Sequence, residues 1–209
     1  MRLPPLLSFT CCLVLSGAAA CSGSHVMTPL PEEVPNKPAH GVAWPVDTDL
    51  AIASGIDDTG MAWAHARGYL PGAWEALWQA LGQGEICVDQ VQVASYSIHP
   101  IEAEGFPIAF RIDNTVKNII TVTFSLTWRF HRQIVGDTWQ WIVGSGHKTA
   151  GTSYIEALDY AMSFQRQDDG RIAFELVAEV RAVRLSEDDP RGYLEALVAR
   201  LREVTATPP

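Results

Sequence analysis

Metal-ligand spacing is missing from this chain. Its six histidines, at 25, 40, 65, 99, 131 and 147, include no pair at i, i+4 and no His–Cys spacing of a zinc site, so the reading assigns no metal and no cofactor. No Gly-x-Ser-x-Gly turn is present to lift a nucleophilic serine onto a strand-to-helix corner. The run Gly144-Ser145-Gly146-His147-Lys148-Thr149 has the composition of a phosphate loop without its spacing, because His147 separates Gly146 from Lys148 and a strand pattern follows. Basic residues are few: 15 Lys and Arg stand against 24 Asp and Glu, a formal charge of −9, and no cluster of them exists. That excludes the electrostatic footprint of a nucleic-acid binder and attachment to lipid by surface charge. Cysteine is scarce too, four in 209 residues, and no internal repeat is visible.

The front of the chain carries an address rather than a fold. Residues 1–20 hold one basic residue, Arg2, an apolar run over 6–15 and small residues before Cys21, the organisation of a secretory signal peptide, too short and wrongly flanked for a permanent membrane helix. Ser16-Gly17-Ala18-Ala19-Ala20-Cys21 resembles the lipobox of bacterial lipoproteins, which implies cleavage before Cys21 and acylation of its sulfur. Ser22, not Asp, then implies transfer to the outer membrane, facing the periplasm; plain cleavage would instead leave a soluble secreted or periplasmic protein. With Cys11 and Cys12 removed and Cys21 acylated, Cys87 is alone; without acylation Cys21 and Cys87 have each other to pair with. Prolines at 29, 31, 35, 38 and 45 make residues 21–48 an extended tether. Residues 49–209 form one domain.

Within that domain residues 121–131, TVTFSLTWRFH, alternate without error: Val122, Phe124, Leu126, Trp128 and Phe130 point one way and polar residues the other. The pattern predicts a strand of about 35 Å with one dry face, within a longer strand over 119–133. Residues 61–69 alternate with an all-small face, Ala62, Ala64 and Ala66 among it, and 71–82 read as a short helix with Trp74, Leu77, Trp78 and Leu81 on one side, stopped by Gly82. Strands are predicted at 91–98 and 108–112, the second turning at Asp113-Asn114. Gly136-Asp137 and Asp168-Asp169-Gly170 signal hairpins joining 139–147 to the long strand and 152–167 to 171–185; in 152–167, Tyr154, Leu158 and Met162 are helix-spaced as well. After Asp189 at the cap and Pro190 in the first turn, Tyr193, Leu194, Leu197, Val198, Leu201 and Val204 make one apolar helical stripe. Such a stripe needs a partner, and the face bearing Phe124 and Trp128 is the apolar surface in want of one.

This order is similar to the helix-grip fold of the START-like (SRPBCC) superfamily. Ala66-Arg67-Gly68-Tyr69-Leu70-Pro71 leading into Trp74-Glu75-Ala76-Leu77-Trp78 resembles its first strand and opening helix, and the run 146–155, GHKTAGTSYI, resembles a strand pair of exported bacterial members. The likeness covers about residues 58–205 and implies an α+β fold: a curved antiparallel sheet of about seven strands wrapped on a long C-terminal helix, with one short helix after strand 1. Gly82-Gln83-Gly84-Glu85 leaves little room for the second helix common there, which points to an open or differently lidded mouth. The resemblance implies a tunnel for a hydrophobic or lipid-like small molecule, with Phe124, Leu126, Trp128, Trp141, Tyr160, Phe174, Leu176 and Leu197 as its lining. Ala157, Ala178 and Ala182 leave volume beside them. A binding protein held to the membrane by its lipid anchor is the resulting expectation. Two alternatives stand beside it. One is a polyketide cyclase- or dehydratase-like enzyme using the polar groups His65, Arg67, Tyr154 or Tyr160; the other is an interaction domain with a filled core.

Overall fold

The long alternating strand lies inside a single antiparallel sheet, third from one edge. The computed structural model describes residues 42–46, 50–117, 120–135, 138–183 and 188–206; the leader, Cys21 and the tether through residue 41 lie outside the described residues, as do Gly136-Asp137. The elements in chain order are β1 (Leu50–Ile56), β2 (Ala62–Leu70), α1 (Trp74–Gln83), a 3-10 turn (Glu85–Cys87), β3 (Ser95–Pro100), β4 (Ile108–Lys117), β5 (Thr121–Val135), β6 (Thr138–Gly151), β7 (Ile155–Arg166), β8 (Ile172–Ala182) and α2 (Asp188–Ala206). The described strands form one eight-stranded sheet in the order β1-β2-β8-β7-β6-β5-β4-β3, antiparallel throughout.

Several boundaries correct the sequence reading. The described residues hold eight strands, because the half-buried edge strand β1 precedes the expected first one, so the short helix follows strand 2. Its pattern, LAIASGI, is too weakly alternating to stand out. Gly82 lies inside α1; the helix ends one glycine later, where Gly84 adopts φ +77° and donates its N–H to the Leu81 carbonyl, a conformation that favours glycine. Asp113 and Asn114 do not turn the chain. They remain paired with Ser125 and Phe124 in the β4–β5 ladder, and their side chains are satisfied in place, Asp113 by the Ser125 hydroxyl at 2.6 Å and Asn114 by the Ile112 carbonyl at 3.2 Å. β3 starts at Ser95 rather than Val91 because the N–H groups of Val91 and Gln92 fold back on Asp89. α2 begins at Asp188, which puts Asp189 in the first turn instead of at the cap. The helix-spaced stretch 152–167 is the strand β7, paired on both sides.

The alanine face of β2 decides where α2 lies. Ala62, Ala64 and Ala66 are fully buried, and α2 packs chiefly on β2, with β8, β1 and α1 beside it; small side chains let the helix come close to the strand. Its stripe Tyr193, Leu194, Leu197, Val198 and Leu201 is buried there. Trp128 is linked to this helix through a chain of rings: Trp128 stacks on Tyr160 at 5.1 Å, and Tyr160 meets Tyr193 of α2 at 4.7 Å. Residues 42–46, at the end of the expected tether, rest on the outer face of the sheet, where the Val42 carbonyl accepts from Arg67 at 2.7 Å and Trp44 packs on Tyr69.

Candidate functional site

Between the concave face of the sheet and the start of α2 the packing fails to close, leaving a cavity of about 640 Å³, within the range of small-molecule sites. β5 contributes Val122, Phe124 and Leu126; β7 contributes Ile155, Leu158 and Tyr160; β8 contributes Ala178, Val180 and Ala182; and α2 contributes Pro190 and Tyr193. Alternation explains most of the wall, since each strand sends every second side chain inward; in β7 a register shift between Ile155 and Ala157 lets Ile155 join Leu158 and Tyr160. Ala178 and Ala182 create room that larger residues would fill, whereas Ala157 is not in the lining. Ile120 and Val183, 48% and 65% exposed, mark where the wall reaches solvent.

Of the eight residues expected to line a tunnel, the structure brings three into this wall: Phe124, Leu126 and Tyr160. Trp128 is fully buried one layer behind, parallel to Phe130 at 5.8 Å and stacked on Tyr160 at an interplanar angle of 19°. Phe174, Leu176 and Leu197 are likewise fully buried in the close-packed core. Trp141 pairs with Gln133 and Gln165 and so stands on the outer face, opposite the buried Ile142 beside it. Sequence reasoning missed Asp89, Asn114 and Tyr193. Asn114 was hidden by its turn-like neighbour, and Asp89 gave no periodic signal at all.

The polar groups of the lining are two carboxylates, Asp89 and Asp189, the amides of Gln92 and Asn114, the phenols of Tyr154, Tyr160 and Tyr193, and the Cys87 thiol. No lysine, arginine or histidine is among the described residues that line it, while Asp89 and Asp189 are. Burial pushes the Asp89 carboxyl above its usual range, against the opposing hydrogen bonds from Gln92 and Val91 and the charge of Arg200. Burial also pushes the phenols of Tyr160 and Tyr193 and the thiol of Cys87 upward, so all three stay neutral across physiological pH. Cys87, 1% exposed, offers no surface for a bridge.

The remaining polar clusters lie elsewhere. His65 and Arg67 face outward and bind Glu175, His65 Nε2 at 2.8 Å and Arg67 Nη2 at 2.9 Å from Oε1, away from the cavity. Ser97, His99 and Asp113 meet near the β3 edge, but serine and carboxylate both approach Nε2, at 3.0 and 3.2 Å, so no proton relay through the ring is set up. The glycines resembling a phosphate loop lie within β6, where they make room for aromatic rings: a β-carbon on Gly146 would lie 2.6 Å from Trp128 and one on Gly144 would collide with Phe130.

Solved structures share this arrangement. The human StarD13 (DLC2) lipid transfer and protein localization domain is 9% identical with a TM-score of 0.53, over 77% of this chain and 86% of that one. The fold is a START-like helix grip. Human StAR-related lipid transfer protein 5, 10% identical, aligns at 0.51 over 76% and 82% of the two chains, and human STARD10, 9% identical, at 0.51 over 83% and 76%. No family model and no curated protein matches the sequence. At these identities the START-like resemblance is one of backbone.

Proposed function

We propose that this chain is an exported, lipid-anchored START-like domain that binds or carries a hydrophobic, lipid-like small molecule in the cavity between its sheet and α2. The observation that carries the reading is the apolar cavity itself, which opens at Ile120 and Val183 inside an otherwise close-packed core. Phe124, Leu126 and Tyr160 are its binding wall, with Val122, Leu158 and Ala178 beside them. The lipid-transfer names of two of its structural neighbours support a lipid-like ligand. The leader over residues 1–20 and Cys21 support export and anchoring to the outer membrane facing the periplasm, with residues 21–48 as tether.

Two measurements test this. Native mass spectrometry of protein purified from its own membranes should find an apolar molecule bound, and Ala182→Trp, which fills the cavity beside the rim, should abolish that mass without loss of folding; protein that is empty in repeated preparations would overturn the reading. Labelling with palmitate should mark the wild type and not Cys21→Ser, which should move to the soluble fraction.

A further inference from the structure

The cavity has a blind end. Leu126, Tyr160 and Ala178 are the innermost residues that β5, β7 and β8 give to its wall, and the next inward-facing residues, Trp128, Met162 and Leu176, are fully buried in the packing. Ala178 pairs with Tyr160, and Ala182 pairs with Ile155 at the mouth, so Tyr160 lies about 13 Å inside. Its ring is 6% exposed and held between Trp128 and Tyr193. Its hydroxyl makes no hydrogen bond with a described residue, and the oxygen is open to the cavity rather than enclosed by protein atoms. The other polar groups of the wall are engaged or lie nearer solvent. Tyr193 donates to the Cys87 carbonyl at 3.2 Å, Asn114 donates to the Ile112 carbonyl at 3.2 Å, and Asp89 Oδ1 accepts the N–H groups of Val91 and Gln92. Tyr154 adjoins Ile155 at the mouth, and Gln92 is exposed.

We infer that the cavity takes an uncharged amphiphile oxygen-first: a ketone, ester or alcohol oxygen accepts the Tyr160 hydroxyl at the blind end, and the apolar remainder runs out toward Ile120 and Val183. The inference rests on the cavity being a ligand site and names the head it recognises and the way the molecule lies. A buried hydroxyl without a partner is costly, and a ligand oxygen removes that cost. Burial, and then the Asp89 carboxylate, keeps the phenol protonated, so it has a proton to share. A charged head would have to shed its water at that depth. Asp89, the lining carboxylate that bears on Tyr160, already has the Arg200 charge beside it. The apolar part of the ligand would lie along Phe124, Leu126 and Leu158.

The test compares 2-acetylnaphthalene with 2-isopropenylnaphthalene, which keeps the shape but has a methylene group in place of the carbonyl oxygen, by equilibrium dialysis against the purified protein at pH 7. Tyr160→Phe keeps the ring between Trp128 and Tyr193. It should weaken binding of the ketone at least about 5-fold, which corresponds to about 1 kcal/mol, and change binding of the alkene by less than about 2-fold. Equal changes for the two probes, or no change for either, would overturn the inference while leaving the cavity as a ligand site. Tyr154→Phe, at the mouth, should act on both probes alike; a loss specific to the ketone there instead of at position 160 would reverse the orientation and overturn the inference. Without ligand, Tyr160→Phe should melt no lower than the wild type, because its hydroxyl has no protein partner to lose. A lower midpoint would show that the hydroxyl is already engaged, which overturns the inference as well. Failure of both probes to bind the wild type would overturn the cavity reading along with this one.

Discussion

At the scale of single residues, one missing carbon shapes the interior. A β-carbon on Gly146 would sit 2.6 Å from the Trp128 ring, so the ring lies flat on β6 only because nothing stands there. Gly146→Ala should therefore lower stability by about 1–3 kcal/mol, read as a lower urea midpoint. Titratable residues of the outer face act with opposite signs. Burial, and then the charge of Glu179 directly across the ladder, pushes Asp159 up from 3.8 to about 6. Its folded form holds the proton more tightly than its unfolded form. The contribution is therefore fully present below the unfolded value and is lost as pH rises through about 6. Asp159→Asn should stabilise the protein at pH 7 by about 1 kcal/mol, after allowance for solvent screening of a half-buried group, and leave it unchanged near pH 3. Urea titrations at the two pH values check this. Glu175 works the other way: hydrogen bonds from His65 and then Arg67 hold its carboxyl below the usual range, so its stabilisation is present above the unfolded value and lost as pH falls through the folded one. None of these side-chain environments was legible in sequence, since each depends on which strand lies alongside.

At the scale of elements, β2 and α2 are matched by size rather than by polarity. The alternation of residues 61–69 announces a strand with a small face, but the identity of what lies on it comes from the antiparallel register of β2 with β8, which sets Ala64 against Ala178 and Ala66 against Leu176. Ala66→Leu should push α2 off the sheet at a cost of about 1–3 kcal/mol, visible as a lower thermal midpoint and, because Tyr193 travels with the helix, as weaker ligand binding. α1 is held from its exposed side by Arg132, which lies over Trp78 at 4.2 Å and reaches Glu75 at 2.8 Å. The helix itself was readable from Trp74, Leu77, Trp78 and Leu81. Its last turn was not, because two glycines two residues apart both read as stops and only the backbone shows which one has the positive φ.

For the whole molecule, the interior divides into a packed half and a hollow half, and mutations should report the boundary. Trp128, fully buried between Phe130 and Tyr160, should cost about 3–5 kcal/mol when replaced by alanine, with or without ligand. Phe124, on the cavity wall, should cost distinctly less on the same substitution, because its ring lacks packing partners on the cavity side, and should change ligand affinity instead. Denaturation of both variants with and without bound amphiphile separates the two cases: equal losses would mean that the cavity collapses in solution.

The sequence by itself determined the elements whose signal is local: the error-free alternation of β5, the Asp-Asp-Gly hairpin between β7 and β8, the stripe of α2 and the order that resembles a helix grip. Periodicity reports which way a side chain points relative to its own backbone, and that is enough to place Phe124, Leu126, Trp128, Phe174 and Leu176 on an inner face. It does not report depth. Whether an inward side chain meets another side chain or empty space depends on the curvature of eight strands and on where one helix crosses them. Only the tertiary structure therefore separated Phe124, Leu126 and Tyr160 at the cavity from Trp128, Phe174, Leu176 and Leu197 in the packing, and brought Asp89 and Asn114 from distant segments into the same wall.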